Sequence, residues 1–297
     1  MTFKVDDVDH AWRTLVQNIV MSGISVSPRG LKTREIDNVI LEYPRPGSYS
    51  FINEKRRINP VFHLVELFYF LNGRTDGLLA DYIDNMKNYE NEQNRFDGSY
   101  GPSIYESLPF AISELQNDPS SRRAVIPIIR SHHLNHNSID IPCNVFLQFR
   151  INNETLEMLV VTRSQDLFRG FLYDTLEFQL LQYFLSKVLF ANVGCYYHYI
   201  SSLHLYENDF SNAVKSLTVP DLSSTDEPKI LKVFNNQYDF WDYSRMINIQ
   251  SDLAANWPDQ TNDFDDISRA IINWKLRRKC LSSGLYSDWV NWWLENR

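Results

Sequence analysis

The sequence predicts an α/β protein, a mixed sheet with flanking helices, and three observations carry that expectation. Apolar residues recur at helical spacing in several segments separated by turn-rich stretches. Two adjacent strand-like runs, VFLQFRI and LEMLVVTR, are joined by the short polar stretch NNET. With 43% apolar residues and only 10 glycines, the chain has the composition of an ordinary folded protein rather than a disordered one.

In chain order, residues 8 to 22 place Trp12, Leu15, Val16 and Ile19 on one helical face. A proline-punctuated stretch follows, with a short strand expected around Val39 to Leu41 between turn signals. NPVFHLVELFYFLNGR reads as an apolar helix stopped by Gly73, with Glu66 embedded in it. Residues 81 to 99 are polar and expected to be irregular. Helical spacing returns from about 104 to 117, NDPSSRRAVIPII leads into a strand, and HHLNHNS is a loop.

The hairpin is the most informative element. Centred near Asn153, it pairs residues whose numbers sum to about 306, which sets Cys143 across from Arg163. Asp174 opens a long buried helix running to about Phe190, where the plain reading is an N-cap aspartate. GCYYHYISSLHLYEND then forms a strand that delivers His204 and Tyr206 to its end. From about 263 the tail is an amphipathic helix with Trp289, Trp292 and Trp293 at core or interface spacing.

The net charge of −8 argues against a surface that coats nucleic acid, while leaving room for a local basic pocket. The start, MTFKVDDVDHAW, lacks the basic-then-apolar pattern of a signal peptide, and no run of about 18 apolar residues occurs. A soluble, cytoplasmic protein that engages neither membrane nor nucleic acid is expected. Cys143, Cys195 and Cys280 match no zinc or redox spacing, so free thiols are expected and no metal site.

A buried free cysteine is commonly just a small hydrophobe. A guanidinium opposite Cys143 changes that reading, because it favours the thiolate, which is the nucleophilic form. Arg122 and Arg123 read either as a solvated pair or, if they converge with Arg163 and Ser164, as a phosphate site built from planar forks.

DPSSRRAVI, IPCNVFLQF, TRSQDLFRGFLYD and SSLHLYEND, in that order, resemble the signatures of thymidylate synthases and their pyrimidine-nucleotide hydroxymethylase relatives. HLVELFYFLNGRTD and YGPSIYESL resemble that family's upstream helix and YG motif. The resemblance implies a thymidylate synthase-type mixed sheet in a single domain over 1–297, with a divergent helical segment at about 240–297, and a homodimer formed through the sheet face. It implies Cys143 as the nucleophile at carbon 6 of the pyrimidine. Arg163, Ser164, Arg29 and, from the other subunit, Arg122 and Arg123 would hold the phosphate of a pyrimidine nucleoside monophosphate. Glu66 would organise water and proton transfers, Tyr100 would sit beside the base, Asp166 would contact the folate, and His204 and Tyr206 would hold the sugar.

Thymidylate synthases carry asparagine where Asp174 stands, whereas deoxycytidylate hydroxymethylases carry aspartate, and the RS-x-D…GF-x-x-D stretch resembles the latter. Cytosine offers an acceptor at ring nitrogen 3 and donors on its amine, so a carboxyl group complements it and can also supply a proton as charge develops. The C-terminus VNWWLENR does not resemble the tail that shields hydride transfer in the synthases, which favours water as the attacking group. The expected activity is therefore that of a hydroxymethyltransferase making 5-hydroxymethyl-CMP or 5-hydroxymethyl-dCMP from the cytidylate, with 5,10-methylenetetrahydrofolate as co-substrate. The alternatives are a thymidylate synthase or uridylate hydroxymethylase, and a catalytically silent nucleotide- or RNA-binding homologue.

Overall fold

The computed structural model describes residues 1–47, 53, 55–134, 138 and 140–219. The expected helical segment at about 240–297, with Cys280, Trp289, Trp292 and Trp293, lies outside the described residues.

The chain opens with β1 (Thr2–Lys4) and helix α1 (Val8–Ser22). Asp7 accepts the His10 amide at 2.7 Å to start α1, and Gly23 closes it by donating to the Ile19 carbonyl. Strands β2 (Ile24–Val26) and β3 (Thr33–Tyr43) follow. The expected short strand at 39–41 is thus the inner part of an eleven-residue strand, whose Thr33–Asn38 half is too polar to show in the pattern.

Helix α2 (Phe62–Leu71) ends as expected at Gly73. Gly73 has φ of 64°, and its amide and that of Arg74 return to the Phe70 and Tyr69 carbonyls. The stretch expected to be irregular contains a 3-10 turn at Asp84–Tyr89. Helix α3 (Gly101–Asn117), β4 (Val125–Pro127), β5 (Asn144–Asn152), β6 (Thr155–Thr162) and β7 (Gln165–Asp166) come next. Helix α4 (Phe171–Val188), β8 (Asn192–Tyr206) and α5 (Glu207–Ser216) complete the described chain, and α5 is an element the periodicity does not announce.

The sheet runs β1-β3-β8-β6-β5-β4, with β2 on β3 and β7 on β8. It is mixed: β1/β3, β6/β8 and β7/β8 are parallel and the other pairs antiparallel. Helix α4 lies against β6 and β8, α1 against β3, and α2 against α4, so the helices cover one sheet face. Trp12, Tyr43, Tyr69, Tyr196, Phe171 and Phe178 are among the side chains buried there. Burying each such large apolar side chain contributes about 1.5–3 kcal/mol, which is what permits polar groups in the same layer. On the opposite face Ile40, Leu159, Val161, Tyr197 and Tyr199 are only half-buried.

Two irregularities aim the strands. Asn153 and Glu154 both have left-handed backbone (φ 46° and 61°), giving the two-residue hairpin turn whose twist matches its strands. From that turn the register pairs Asn152 with Thr155 and Phe146 with Val161, but beyond the extra residue Val145 it pairs Asn144 with Thr162. Only this bulge restores the expected pairing at the end, where Arg163 donates its amide to the Cys143 carbonyl at 2.9 Å. The second irregularity lies where Asn38, at φ of 53°, interrupts β3 opposite β8. There the buried positions of β8 pass from Tyr196, His198 and Ile200 to Leu203 and Leu205. The alternation reverses, and His204 and Tyr206 leave the core side.

Candidate active site

Cys143 lies immediately before β5, one strand away from Arg163 at the end of β6. The Arg163 guanidinium donates to the Pro142 and Ile141 carbonyls, each at 2.9 Å, and reaches the Cys143 sulfur at 4.0 Å. Arg163 favours the thiolate, as expected of a guanidinium, but in the free protein it is outweighed. Burial pushes the Cys143 thiol up to about 11, and Arg163 only partly opposes it, while Asp174, Asp140 and Asp166 add to the rise. The Cys143 side chain is held as a thiol.

Asp174 is not a helix cap. Helix α4 begins three residues earlier, Gly170 is its N-cap, and the Asp174 amide already bonds the Gly170 carbonyl at 3.0 Å. Its carboxyl instead accepts from the Gln165 side chain (Nε2 to Oδ2, 2.8 Å). Burial raises Asp174 from 3.8 to about 7 against that hydrogen bond, so near neutrality a large share of it carries a proton. Gln165 is itself buried, with its Oε1 unpartnered among the described residues.

Two further carboxyls lie within reach. Glu66 of α2 is pushed up to about 8, mainly by burial and then by the negative charge of Asp174. Glu177 sits one turn beyond Asp174 on α4, fully buried, and meets Glu66. Tyr100, just before α3, packs between Phe70 and Phe178. Burial raises its hydroxyl well above the usual range, and the charges of Asp174, Cys143 and Glu66 add to this, so these four groups share one site. Asn144, buried beside Cys143, lies next to that hydroxyl.

On the outer side, Ser164 Oγ lies 3.5 Å from His204 Nδ1, and the His204 and Tyr206 rings meet edge to face at 5.2 Å. The pairing of β7 with β8 sets Asp166 beside His204. Asp166 Oδ1 accepts the Phe168 and Arg169 amides, each at 2.9 Å. Arg169 pairs with Asp209 at 3.0 Å and lies over the Tyr206 ring. Tyr89, from the stretch expected to be irregular, brings its ring close enough for Asp166, Arg169, Tyr206 and Cys143 to act on its hydroxyl.

This ordered set, a thiol and an arginine on adjacent strands, a buried carboxyl on α4 and a histidine-tyrosine pair at the end of β8, lies within a stretch that is matched along the sequence. The family model for thymidylate synthase matches residues 10–255. The chain belongs to the thymidylate synthase family. Similar family members include a deoxyuridylate hydroxymethyltransferase of Bacillus phage SP01, 28% identical over 70% of this chain and 60% of its own length. Another of that name, from Pseudomonas phage M6, is 27% identical over 63% of this chain and 56% of its own. The chain thus spans less than two thirds of the length of these curated relatives. Both are named for the uracil nucleotide, so similarity to them does not single out a cytidylate.

Against the thymidylate synthase pattern, the structure brings Cys143, Arg163, Ser164, Asp166, Asp174, Glu66, Tyr100, His204 and Tyr206 together in one chain. Arg29 stands on a strained turn (φ 54°) whose charge reaches His204. Arg122 and Arg123 do not join them within the chain: both are exposed, and Arg123 pairs with Glu114 at 2.7 Å. Sequence reasoning missed Gln165, Tyr89 and Glu177. Of these, Glu177 had a visible signal, an acid within the apolar run LEFQLLQYFL one turn after Asp174.

Proposed function

We propose that this chain is a pyrimidine nucleotide hydroxymethyltransferase that acts on carbon 5 of a cytidylate. The observation that supports it is a buried carboxyl, Asp174, at the base-reading position, held by Gln165 and raised to about 7. A neutral carboxyl donates to an acceptor through its O–H and accepts from an amine through its C=O. That is the pattern cytosine presents at ring nitrogen 3 and its exocyclic amine.

The Cys143 sulfur adds to carbon 6 after losing its proton, helped by Arg163 as the stored thiol is called into use. The electron pair pushed into the ring gathers toward nitrogen 3, where the Asp174 carboxyl stabilises it. Carbon 5 becomes nucleophilic, bonds the one-carbon unit and gives up its own proton, the bond between that unit and its carrier's nitrogen breaks, and water adds to complete the hydroxymethyl group while Glu66 accepts its proton. Departure of the Cys143 sulfur then restores the ring. Methylenetetrahydrofolate, when bound, supplies the one-carbon unit. The residues fit a flat donor-bearing ring, since Asp166 has Oδ1 committed to backbone amides while Oδ2, 3.8 Å from Arg169 Nε, is beyond hydrogen-bond reach of it, with Tyr89 alongside.

Arg163, Ser164 and Arg29 would hold the phosphate, and His204 and Tyr206 the sugar. Arg122 and Arg123 would serve a partner subunit's site, in a homodimer closed over the half-buried sheet face of Ile40, Leu159, Val161, Tyr197 and Tyr199. Among the described residues no helix is long and apolar enough to cross a membrane. A second reading, a uridylate hydroxymethyltransferase, is favoured by the names of the two phage relatives. Incubating the protein with CMP, dCMP, UMP or dUMP plus methylenetetrahydrofolate, and weighing the products by mass spectrometry, tests both. A hydroxymethylated cytidylate is expected. Product from the uridylates alone would transfer the reading to the second, and product from none would overturn both.

A further inference from the structure

Helix α4 is buried along almost its whole length, and an acid in its middle has no solvent to hydrate it. Glu177 is 0% exposed, and neither of its carboxyl oxygens meets a donor among the described residues. What it does meet is a second acid, the Glu66 carboxyl, reaching across from α2 within hydrogen-bonding distance. Asp174, one turn back on the same helix, adds a third acid to the same space.

Two ionised carboxylates cannot hydrogen-bond each other, since both only accept. An ionised, unpaired carboxylate in an apolar interior is also far costlier than its protonated form. A proton held between Glu66 and Glu177 removes both difficulties, because a carboxylic acid donates a short, strong hydrogen bond to a carboxylate. Among the described residues, the phenols that feel the charge of the pair are Tyr196 from β8 and Tyr69, Tyr100 and Tyr173 on the helical side. Burial drives each of these to higher pH, so each stays neutral. None can take the pair's charge.

We propose that Glu177 is a positioning residue, which keeps a proton and donates it as a hydrogen bond to the Glu66 carboxylate, fixing the orientation in which Glu66 accepts the proton of the adding water. This rests on the role given to Glu66 above. The proton on Glu177 is not consumed: Glu66 takes one proton from water through its other oxygen and releases it before the next turnover. Glu177 touches no substrate. It acts through Glu66, and the retained proton explains how an acid is tolerated in the buried run of α4.

The direct test is infrared spectroscopy of the full chain, free of nucleotide and carrying glutamate labelled with carbon-13 at the side-chain carboxyl. At a pH above about 8, where Glu66 is ionised, the wild type should show a protonated glutamate band that is lost in Glu177→Gln. Absence of that band from the wild type would overturn the proposal, and that result needs no variant to fold. A band persisting undiminished in Glu177→Gln would also overturn it, by placing the proton elsewhere. Turnover supplies the second readout. Glu177→Gln, neutral like the protonated Glu177 and still a donor, should keep part of kcat and leave the Glu66 limb of the pH profile close to wild type, while loss of the donor in Glu177→Leu should move that limb to higher pH. Glu177→Leu, which cannot donate, should lose more of kcat with KM little changed. Equal kcat and superimposable pH profiles in wild type and both variants would refute the positioning role. Failure of the wild type to hydroxymethylate any pyrimidine nucleotide would instead refute the reaction, and the infrared result would still stand by itself.

Discussion

Asp174→Asn tests base selection most directly. The substitution keeps size and shape and leaves Gln165 a partner, since the asparagine carbonyl can accept the 2.8 Å hydrogen bond that Oδ2 now takes. What changes is the face presented to the base. An amide can bond ring nitrogen 3 and the amine of cytosine, but it cannot deliver a proton to that nitrogen as charge gathers there and its second N–H is left unpaired, which costs about 1–3 kcal/mol, or roughly 5- to 150-fold. The measurement is kcat/KM for a cytidylate over that for the uridylate with the same sugar, in wild type and variant. The ratio should fall by that factor in Asp174→Asn. The acid also leaves a pH signature. Asp174 lies at about 7 in the free protein, so its neutral form fades above that pH, and the wild-type rate on the cytidylate should decline there through a group the variant lacks. The Cys143 thiol, at about 11, raises the rate with pH in both proteins, somewhat earlier in the variant because the Asp174 charge that helps to raise it is gone. An unchanged ratio, together with the same alkaline profile in both proteins, would refute the assignment of Asp174 to base reading.

Cys143→Ser should abolish turnover while leaving nucleotide binding, measured by calorimetry, largely intact, whereas Cys195→Ser should turn over normally. Mixing Arg123→Ala with Cys143→Ser subunits should restore part of the activity if the partner's arginine completes each site; no recovery in subunits shown to exchange would mean that one chain builds the whole site. His63 and His198 are buried and held near 3, below the 6.5 of the unfolded chain, so the folded state binds fewer protons between those values. Stability should therefore be present above pH 6.5 and be lost as pH falls toward 3, by at most about 1.4 kcal/mol per pH unit for each histidine. His198→Gln should flatten the urea midpoint in that window, and parallel curves would contradict the linkage. Glu154→Gly should raise stability by about 0.5–1 kcal/mol in urea unfolding, because Glu154 holds left-handed backbone (φ 61°) that glycine adopts without strain.

Much of this molecule was legible along the chain. The boundaries of α1 follow from the spacing of Trp12, Leu15, Val16 and Ile19, the end of α2 from Gly73, and the β5-β6 hairpin from two alternating runs around NNET. These are local properties, set by backbone sterics and by the period at which side chains return to one face. Even the pairing of Cys143 with Arg163 could be counted from the turn, though the count holds only through the bulge at Val145, which rests on contacts with Ile128 and Ile129 from another part of the chain. The tertiary structure alone decided the state of the groups. Proximity of Arg163 suggested a thiolate, but the depth of burial of Cys143, set by everything packed around it, outweighs one guanidinium. The meeting of Glu66 with Asp174 and Glu177 likewise depends on how α2 lies across α4. Protonation depends on local dielectric and on distances between residues far apart in sequence, and neither exists until the chain has folded.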